Sequence, residues 1–467
     1  MPSPDIRGGL RMPRPLYDAL LTLADQSPLR LHMPGHKGHA GGVFSSVSRI
    51  DFTEITPTGN LYDGTPPIAP AEALCAQFAG ARDALFLTCG STQGIYAMLC
   101  AAAPPGSSFL MERACHKSVY HAAALLDLNP CYLENTVVPN TDLHAPITPA
   151  QLAEALSREP DICCVFLTSP SYYGLSADLE GLAGICHNHG IPLLVDQAHG
   201  AHFPAIRLPS AAACGADLSV VSTHKTWPAL GSSAVMYLSD ETEFSLSYMK
   251  SLCALFGTTS PSYPIMASID YARADLDAVG GEQYRATAKQ VRSLRSFLNS
   301  CTPFHALTEQ DYPMLDPCRL TVDTLCAGIS GFDAARMLEK EGVYMEMADE
   351  RYLVAILTSS DTLPDFNRLQ AALTSLVPMA AAGFPASPEA LLPKLPSRRI
   401  SLRAALLGSF RELPLSSAAG YTSAQLIAPY PPGIPIIAPG EEITEKHIAY
   451  LEKKGYNINE EVRIAQH

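Results

Sequence analysis

The chain has 467 residues, of which 47% are hydrophobic and 17% charged, and its formal net charge at pH 7 is −14. A chain of this length and composition can bury a large core in two or three domains, which excludes general disorder. The negative charge argues against a nucleic-acid partner, because phosphate backbones attract basic surfaces.

The N-terminal segment lacks the unbroken apolar stretch of a signal peptide, and no run reaches the roughly 18 apolar residues of a membrane helix. The thirteen cysteines include no C-x-x-C pair. This usage predicts reduced thiols in a cytoplasmic protein that does not bind a membrane.

Between about residues 70 and 240, short apolar runs alternate with helical stretches. We predict strands at 84–88, 107–112, 162–168, 191–196, 216–222 and 233–238, and helices at 95–103, 116–128 and 178–190. This alternation predicts an α/β domain with a mainly parallel sheet. Open sheets of this kind bind ligands at the C-terminal ends of their strands.

The pattern changes after about residue 280, where a polar helix at 280–300 precedes a strand, a helix, two strands and a helix. This order predicts a smaller α+β domain, followed by a connector rich in Ala and Pro at 379–398 and a last helix stopped by Gly455. The predicted divisions are an N-terminal arm (1–50), a large α/β domain (51–280), a small α+β domain (281–380) and a connector with a C-terminal domain (381–467).

Three predicted strand ends carry unusual polar residues. The first is TCGSTQG, in which Ser91 and Thr92 open a helix and either form an anion site or simply cap the helix. The second is Asp196, which ends an apolar strand and needs a partner: a backbone N–H, an arginine or a protonated ring nitrogen. The third is STHK, in which Ser222 and His224 accompany Lys225.

Lys225 is either an ordinary solvated lysine or an amine whose surroundings make it a nucleophile. Pyridoxal phosphate requires a lysine for its Schiff base, an acid for its pyridinium nitrogen and an anion cradle for its phosphate. Asp196 precedes Lys225 by 29 residues, and the Gly-Ser-Thr turn lies upstream of both. The three strand ends together therefore predict a pyridoxal-phosphate site.

A metal site is the alternative that the histidines raise. His199 and His202 form an H-x-x-H pair, but Gly200 separates them and no third ligand is evident. The segment HMPGHKGH, with three further histidines, contains Pro34-Gly35, which prevents the helical spacing of a zinc site. We therefore predict no metal.

The chain resembles the fold-type I pyridoxal-phosphate enzymes, specifically the ornithine/lysine/arginine decarboxylases of the shorter bacterial type. The segments that carry the resemblance include LLVDQAHGAH and STHKT as well as residues 31–38, 51–68, 87–94, 115–122, 168–179, 258–270 and 428–441. The resemblance implies an aspartate-aminotransferase-like large domain that binds the cofactor, a smaller α+β domain and a C-terminal segment.

The resemblance also implies roles for individual residues. Lys225 would carry the cofactor, Asp196 would pair with its ring nitrogen, His116 would stack on the ring, Ala198 would pack on the other face, and His199 would lie near the phenolic oxygen. The phosphate would be held by Ser91, Thr92, Ser222 and His224. The alternative for His116 is a capping or core histidine.

The implied reaction is decarboxylation of a basic L-amino acid to its amine and CO2, as in polyamine biosynthesis, by a homodimer or higher homo-oligomer. Segment 258–264 would come partly from a neighbouring subunit. The acidic candidates for the distal cation of the substrate are Glu54, Asp63, Glu346, Asp349 and Glu441, of which Glu346 and Glu441 are our first choices.

Three departures from the family pattern bear on the substrate rather than on the cofactor. Ala114 stands where the family often has Asn, Tyr421 stands where arginine is common, and the segment TEITPTGNLYDG (53–64) is longer and more polar than its usual form in the family. The alternative functions are another fold-type I reaction, by an aminotransferase, lyase or aldolase, and a non-catalytic binding protein that keeps the fold.

Overall fold

The structure, a computed structural model, describes residues 12–159, 161–379, 394–428, 435–453 and 455–466. The predictions for the start of the N-terminal arm, most of the connector and residues 429–434 of the proline-rich motif lie outside the described residues. Within the described part of the chain, no helix is long and apolar enough to cross a bilayer.

The helices and strands follow one another along the whole described chain. The helices are α1 (Pro15–Asp25), α2 (Ser45–Ile50), α3 (Ile68–Ala79), α4 (Gly90–Ala102), α5 (Lys117–Leu125), α6 (Pro149–Arg158), α7 (Leu179–Asn188), α8 (Thr223–Thr226), α9 (Leu246–Phe256), α10 (Tyr263–Asp275), α11 (Gly281–Cys301), α12 (Gly331–Lys340), α13 (Leu363–Ser375), α14 (Leu402–Leu407) and α15 (Glu445–Lys453). The strands are β1 (Asp83–Leu87), β2 (Ser108–Glu112), β3 (Asn129–Leu133), β4 (Ile162–Thr168), β5 (Leu193–Asp196), β6 (Leu218–Val221), β7 (Ala234–Leu238), β8 (His305–Ala306), β9 (Arg319–Asp323), β10 (Met347–Ala348), β11 (Tyr352–Ile356), β12 (Phe410–Pro414) and β13 (Glu461–Ala465).

These elements form two compact units, each assembled from separate stretches of the chain. The first unit comprises the chain up to Ala102 together with Leu179–Thr287 and Thr358–Ser360. The second unit comprises Ala103–Asp178, Ala288–Leu357 and the chain from Asp361 onward.

The first unit contains strands in the order β1-β7-β6-β5. β5 and β6 are parallel, whereas β7 runs antiparallel to both β6 and β1. Nearly every residue of these strands is buried, as expected for strands covered on both faces. α4 packs very close to the strands at Gly94, where a Cβ would lie 2.8 Å from Leu87 Cδ1 and 2.9 Å from Val220 Cγ2.

The second unit contains three parallel strands in the order β4-β2-β3 and a four-stranded antiparallel sheet in the order β10-β11-β9-β8. The antiparallel sheet packs with α11, α12 and α13 around a core that includes Leu298, Leu320, Leu338, Leu353 and Leu373. A separate C-terminal core surrounds the antiparallel pair of strands β12 and β13 and the helix α15.

The predicted α/β fold with a mainly parallel sheet and a smaller α+β part is confirmed. The six predicted strands correspond to β1, β2, β4, β5, β6 and β7. The sequence interpretation missed β3, because its residues NPCYL are few and only partly buried and include Pro130. The proline is tolerated because β3 is an edge strand of its sheet. The first of the two consecutive strands predicted in the smaller domain, at VYMEMAD (343–349), is shorter than expected, because only β10 forms there.

Glu112, the last residue of β2, is a buried carboxylate with neutral partners. It is 5% exposed; its Oε1 accepts a hydrogen bond from Asn135 Nδ2 (2.5 Å) and its Oε2 accepts one from the Thr168 N–H (3.1 Å). Burial raises the pKa of Glu112 to about 7, although both hydrogen bonds oppose that shift. Ionisation of Glu112 therefore costs folding free energy.

We predict that Glu112 makes the protein less stable as the pH rises. The pKa of Glu112 is higher in the folded chain than its usual value of 4.5. Its contribution to the free energy of unfolding is therefore fully present below pH 4.5 and is lost as the pH rises through about 7. The loss is about 3 kcal/mol at most. We expect the free energy of unfolding, measured by urea denaturation, to differ less between pH 5 and pH 8 in Glu112→Gln than in the wild type. The exposed control Glu134→Gln should keep the wild-type difference, and an unchanged difference in Glu112→Gln would contradict the assignment.

Candidate active site

Lys225 lies on α8, a single helical turn that follows directly after β6. The turn is held from the far side by the segment before β7. Thr223 Oγ1 donates to Ser233 Oγ (2.7 Å), and His224 Nδ1 contacts the Ser233 carbonyl oxygen (2.7 Å), so that Nδ1 carries the proton. The two residues that precede the lysine are thereby fixed.

The only tryptophan of the chain anchors the same turn. Trp227 is buried, its Nε1–H donates to the Ala201 carbonyl (2.8 Å), and its ring meets Phe78 edge to face at 5.6 Å. The Tyr284 hydroxyl donates to the Thr226 carbonyl. These contacts connect the lysine turn to the segment that follows Asp196.

The amine of Lys225 lies beside a histidine. Lys225 Nζ is 3.1 Å from His199 Nε2, and His199 is 5% exposed. His202 has a different environment, because its ring stacks on Tyr284 at a centroid distance of 5.2 Å. The two histidines of the H-x-x-H pair therefore make contacts of different kinds.

Asp196 is the last residue of β5 and is only 4% exposed. Its Oδ1 accepts a hydrogen bond from the Ala198 N–H (3.0 Å). In the parallel pairing of β5 with β6, Asp196 is opposite Val220. The carboxylate and the lysine turn thus lie at the same ends of two adjacent strands.

A third strand end supplies hydroxyl groups and a helix N-terminus. Gly90 begins α4 with a φ of +73°, and Ser91 and Thr92 occupy the first turn. Ser222 Oγ donates to Ser91 Oγ (3.0 Å), which links the end of β6 to the start of α4. Backbone N–H groups at such a helix start attract anions.

The residues present fit pyridoxal phosphate. An amine, a buried carboxylate, and hydroxyls at a helix N-terminus provide the groups that the aldehyde, the ring nitrogen and the phosphate require. In addition, the Thr88 Oγ1 atom, just before this helix, is shielded from solvent and has no hydrogen-bond partner among the described residues. This is the pattern expected of a polar group that serves a ligand.

Gln93 has a position in this site to which the sequence interpretation gave no role. Its Oε1 accepts a hydrogen bond from the Cys89 N–H, and its Nε2 donates to the Tyr62 hydroxyl (3.2 Å) and the Cys253 carbonyl (2.8 Å). The sequence signal that could have identified Gln93 is its position in the first turn of a mainly apolar helix, because a buried amide needs hydrogen-bond partners.

His116, predicted to stack on the cofactor ring, belongs to the second unit. His116 is exposed and caps α5: its Nδ1 accepts from the Ser118 N–H and lies 2.8 Å from Ser118 Oγ. These contacts agree with the alternative in which His116 caps a helix, and they involve only one edge of its imidazole ring. Stacking of His116 on the cofactor stays a prediction.

The two predicted substrate carboxylates differ in their contacts. Glu346 is exposed and accepts a hydrogen bond from the Tyr172 hydroxyl (2.5 Å). Glu441 is 1% exposed and forms a two-point ion pair with Arg113, at 2.7 Å to Nη1 and 2.8 Å to Nη2, and also accepts from the Ala438 N–H (2.6 Å). Its charge is therefore compensated within the chain, which favours a structural role over substrate binding.

The α/β architecture with its mainly parallel strands is that of the fold-type I pyridoxal-phosphate enzymes. The fold therefore defines the class of the protein, and the roles of the residues at the three strand ends stay predictions.

Family comparisons identify the branch of that class. Residues 14–304 match the family described as "Orn/Lys/Arg decarboxylase, major domain", and residues 397–459 match "Orn/Lys/Arg decarboxylase, C-terminal domain". The chain belongs to the Orn/Lys/Arg decarboxylase family, a family of amino-acid decarboxylases.

Individual relatives align along nearly the whole chain. Uncharacterized protein YaaO of Bacillus subtilis is 33% identical, covering 95% of this chain and 94% of its own length. Arginine decarboxylase of B. subtilis is 30% identical, covering 94% and 93%. The crystal structure of lysine decarboxylase LdcF of Francisella novicida matches with a TM-score of 0.80 at 20% identity, covering 97% and 81%.

We predict that Glu441→Gln destabilises the protein. The substitution leaves the buried guanidinium of Arg113 without its counter-charge, which costs about 3–5 kcal/mol. Glu442→Gln is the matched control, because Glu442 pairs at the surface with Arg399 and should contribute far less. Urea denaturation of both variants measures the difference. A Glu441→Gln protein of wild-type stability with altered substrate preference would show instead that Glu441 binds substrate.

Proposed function

We propose that the protein decarboxylates a basic L-amino acid, arginine, lysine or ornithine, to the corresponding amine and CO2. The observation that carries the proposal is the contact between Lys225 Nζ and His199 Nε2 at a strand end adjacent to Asp196, in a chain of this decarboxylase family. Bound pyridoxal phosphate would supply the electron sink that accepts the electrons left on Cα when CO2 departs.

The first unit provides the groups that hold this chemistry in place. Asp196 would hold a proton on the ring nitrogen of the cofactor, because its buried negative charge favours the protonated form. Ser91, Thr92, Ser222 and His224 would fix the phosphate. The Ser222–Ser91 hydrogen bond and the close packing of α4 at Gly94 keep this cradle rigid before ligand binds.

Lys225 would have a second task after CO2 has left. Its Nζ can return a proton to Cα of the substrate, and His199 Nε2, at 3.1 Å, is positioned to accept or resupply a proton at that nitrogen. Fixing α8 through Trp227 and Ser233 limits the movement of the amine. The residues of the chain thus contribute orientation and proton transfer, while the cofactor contributes the electronic chemistry.

We also propose that the enzyme is cytoplasmic and that its product amine enters polyamine biosynthesis. The thirteen cysteines are all free thiols, which suits a reducing compartment. Arginine is the first substrate to test, since the named arginine decarboxylase is more similar to this chain than the named lysine decarboxylase.

We predict that purified protein supplied with pyridoxal phosphate releases CO2 from at least one of the three basic amino acids. CO2 release from carboxyl-labelled substrate and mass spectrometry of the amine identify the reaction. Lys225→Ala should lower kcat/KM by at least about 10³-fold and abolish the visible absorbance of lysine-bound cofactor. The exposed control Lys289→Ala should behave as the wild type.

Two outcomes would contradict this assignment. Normal turnover by Lys225→Ala would remove the lysine from the mechanism. Conversion of the cofactor to its amino form without CO2 release would indicate an aminotransferase.

We propose further that the protein is a homodimer. The segment between α1 and α2 exposes a concentration of apolar side chains: Leu29 (85%), Leu31 (85%), Met33 (61%), Val43 (86%) and Phe44 (67%). Exposed apolar surface of this density is typical of an interface. The segment includes part of the HMPGHKG motif that carries the family resemblance, and a second copy of the chain is the partner we assign to it.

We predict that light scattering gives a dimer mass for the wild type and a monomer mass for the Val43→Ser, Phe44→Ser double variant, because the substitutions remove apolar contact area. Leu363→Ser, which changes an exposed apolar residue of the second unit, is the control and should remain dimeric. A monomeric wild type at assay concentration, or a dimeric double variant, would contradict the proposed interface.

A further inference from the structure

The acidic residues considered for the distal cation of the substrate are not equally available to a ligand. Asp349 accepts hydrogen bonds from the Tyr173 hydroxyl (2.5 Å) and from the backbone N–H groups of Arg351 and Tyr352. Glu441 is paired with Arg113, and Glu346 accepts from Tyr172, as described above. These three carboxylates already have donors within the chain.

Glu54 differs from them in one atom. It lies in the loop between α2 and α3 of the first unit and is partly buried. Its Oε2 accepts a hydrogen bond from Thr53 Oγ1 (2.5 Å), but its Oε1 is shielded from solvent and has no hydrogen-bond partner among the described residues. A shielded carboxylate oxygen without a donor is costly, and a cationic ligand would remove that cost.

Tyr62 and Tyr263 interact electrostatically with Glu54, and their hydroxyl groups donate hydrogen bonds to other partners. The Tyr62 hydroxyl donates to the Thr258 carbonyl (3.2 Å), and the Tyr263 hydroxyl donates to the Gly59 carbonyl. Burial raises the pKa of both phenols, that of Tyr263 to about 12, and the negative charge of Glu54 contributes to both shifts. Aromatic rings beside a carboxylate form a suitable environment for an ammonium or guanidinium group.

The loop that carries Glu54 is rigid. Thr58 Oγ1 donates to the Thr53 carbonyl (2.6 Å) and accepts from the Ile55 N–H (3.1 Å). Gly59 has a φ of +74°, and a Cβ there would lie 2.5 Å from the Pro66 carbonyl oxygen. The position of the carboxylate is therefore fixed by the fold, as a specificity group requires.

A hydrogen-bonded connection leads from this loop to the predicted phosphate residues. Tyr62 accepts a hydrogen bond from Gln93 Nε2, and Gln93 lies two residues after Ser91 in the first turns of α4. The absence of a side chain at Gly257 leaves space for the Gln93–Tyr62 hydrogen bond, since a Cβ there would lie 2.2 Å from Gln93 Nε2 and 2.6 Å from the Tyr62 hydroxyl. The loop and the start of α4 are thus parts of one assembly within the first unit.

We propose that Glu54 binds the distal cationic group of the basic amino-acid substrate through Oε1 and determines the preference for a charged side chain. This inference rests on the proposed function and specifies which residue recognises the substrate. Glu54 takes precedence over Glu346 because, among the five candidate carboxylates, all of them within the described residues, only Glu54 has a carboxylate oxygen that is shielded from solvent and lacks a donor.

The test measures discrimination between a charged substrate and a neutral one of the same length. The neutral partner is citrulline for arginine, 2-aminoheptanoate for lysine or norleucine for ornithine. Glu54→Gln should lower kcat/KM for the charged substrate by about 10²-fold, because a charge-assisted hydrogen bond is lost. The value for the neutral amino acid should not fall. Glu54→Asp keeps the charge and should retain part of the discrimination.

Two further measurements exclude a merely structural effect. The thermal unfolding midpoint and cofactor binding of Glu54→Gln should equal those of the wild type, because a glutamine oxygen still accepts from Thr53. Calorimetric binding of the product amine, which requires no turnover, should weaken in parallel with kcat/KM. Glu243→Gln, an exposed glutamate of the same unit, is the matched control and should leave both quantities unchanged.

The results separate this inference from the proposed function. A wild-type enzyme that decarboxylates none of the basic amino acids would overturn the proposed function itself. A wild-type enzyme that does so, together with a Glu54→Gln variant of unchanged discrimination and unchanged product binding, would overturn only the role of Glu54. An equal loss for charged and neutral amino acids would likewise overturn it.

Discussion

The active-site geometry depends on holding a single helical turn, α8, at the end of β6. Four residues of helix cannot be stable by themselves, since helix nucleation is unfavourable. The turn persists because Trp227 is bonded to the Ala201 carbonyl and Thr223 to Ser233. These contacts place the amine of Lys225 within 3.1 Å of a buried histidine. The carboxylate of Asp196 and the start of α4 then come close through strand pairing and through the Ser222–Ser91 bond.

The shielded carboxylate oxygens of this fold have different hydrogen-bond and charge partners. These differences distinguish structural acidic residues from functional ones. Glu441 has a guanidinium counter-charge, so its burial needs no ligand. Glu112 has only neutral donors, and its pKa rises until protonation becomes accessible near neutral pH. Asp196 has a backbone N–H on one oxygen at a strand end where ligands bind. Glu54 has one oxygen that is shielded from solvent and has no donor among the described residues, which distinguishes it from the other four candidates for the substrate cation.

The sequence predicted the elements whose signal is local. Fully buried strands such as ICCVFLT are continuous apolar runs, and the polar residues at their ends marked the cofactor site. The sequence could not predict β3, whose proline and partial burial weaken that signal. Nor could it choose among the acidic residues, because the pairing of Glu441 with Arg113 joins positions 328 residues apart. Partners at such separations are determined by tertiary packing, so contacts were needed to separate Glu54 from Glu441.

The division of the chain has a consequence for its synthesis. The first unit is assembled from three stretches of the chain, the last of which is only Thr358–Ser360, and α11 passes from one unit into the other. The start of this unit must therefore wait until Thr287, past the middle of the 467 residues, has left the ribosome, since the second stretch of the unit emerges after the whole β2–β4 segment. During that interval apolar strands such as β1 lack their neighbours, and the nascent chain is exposed to aggregation and dependent on chaperones.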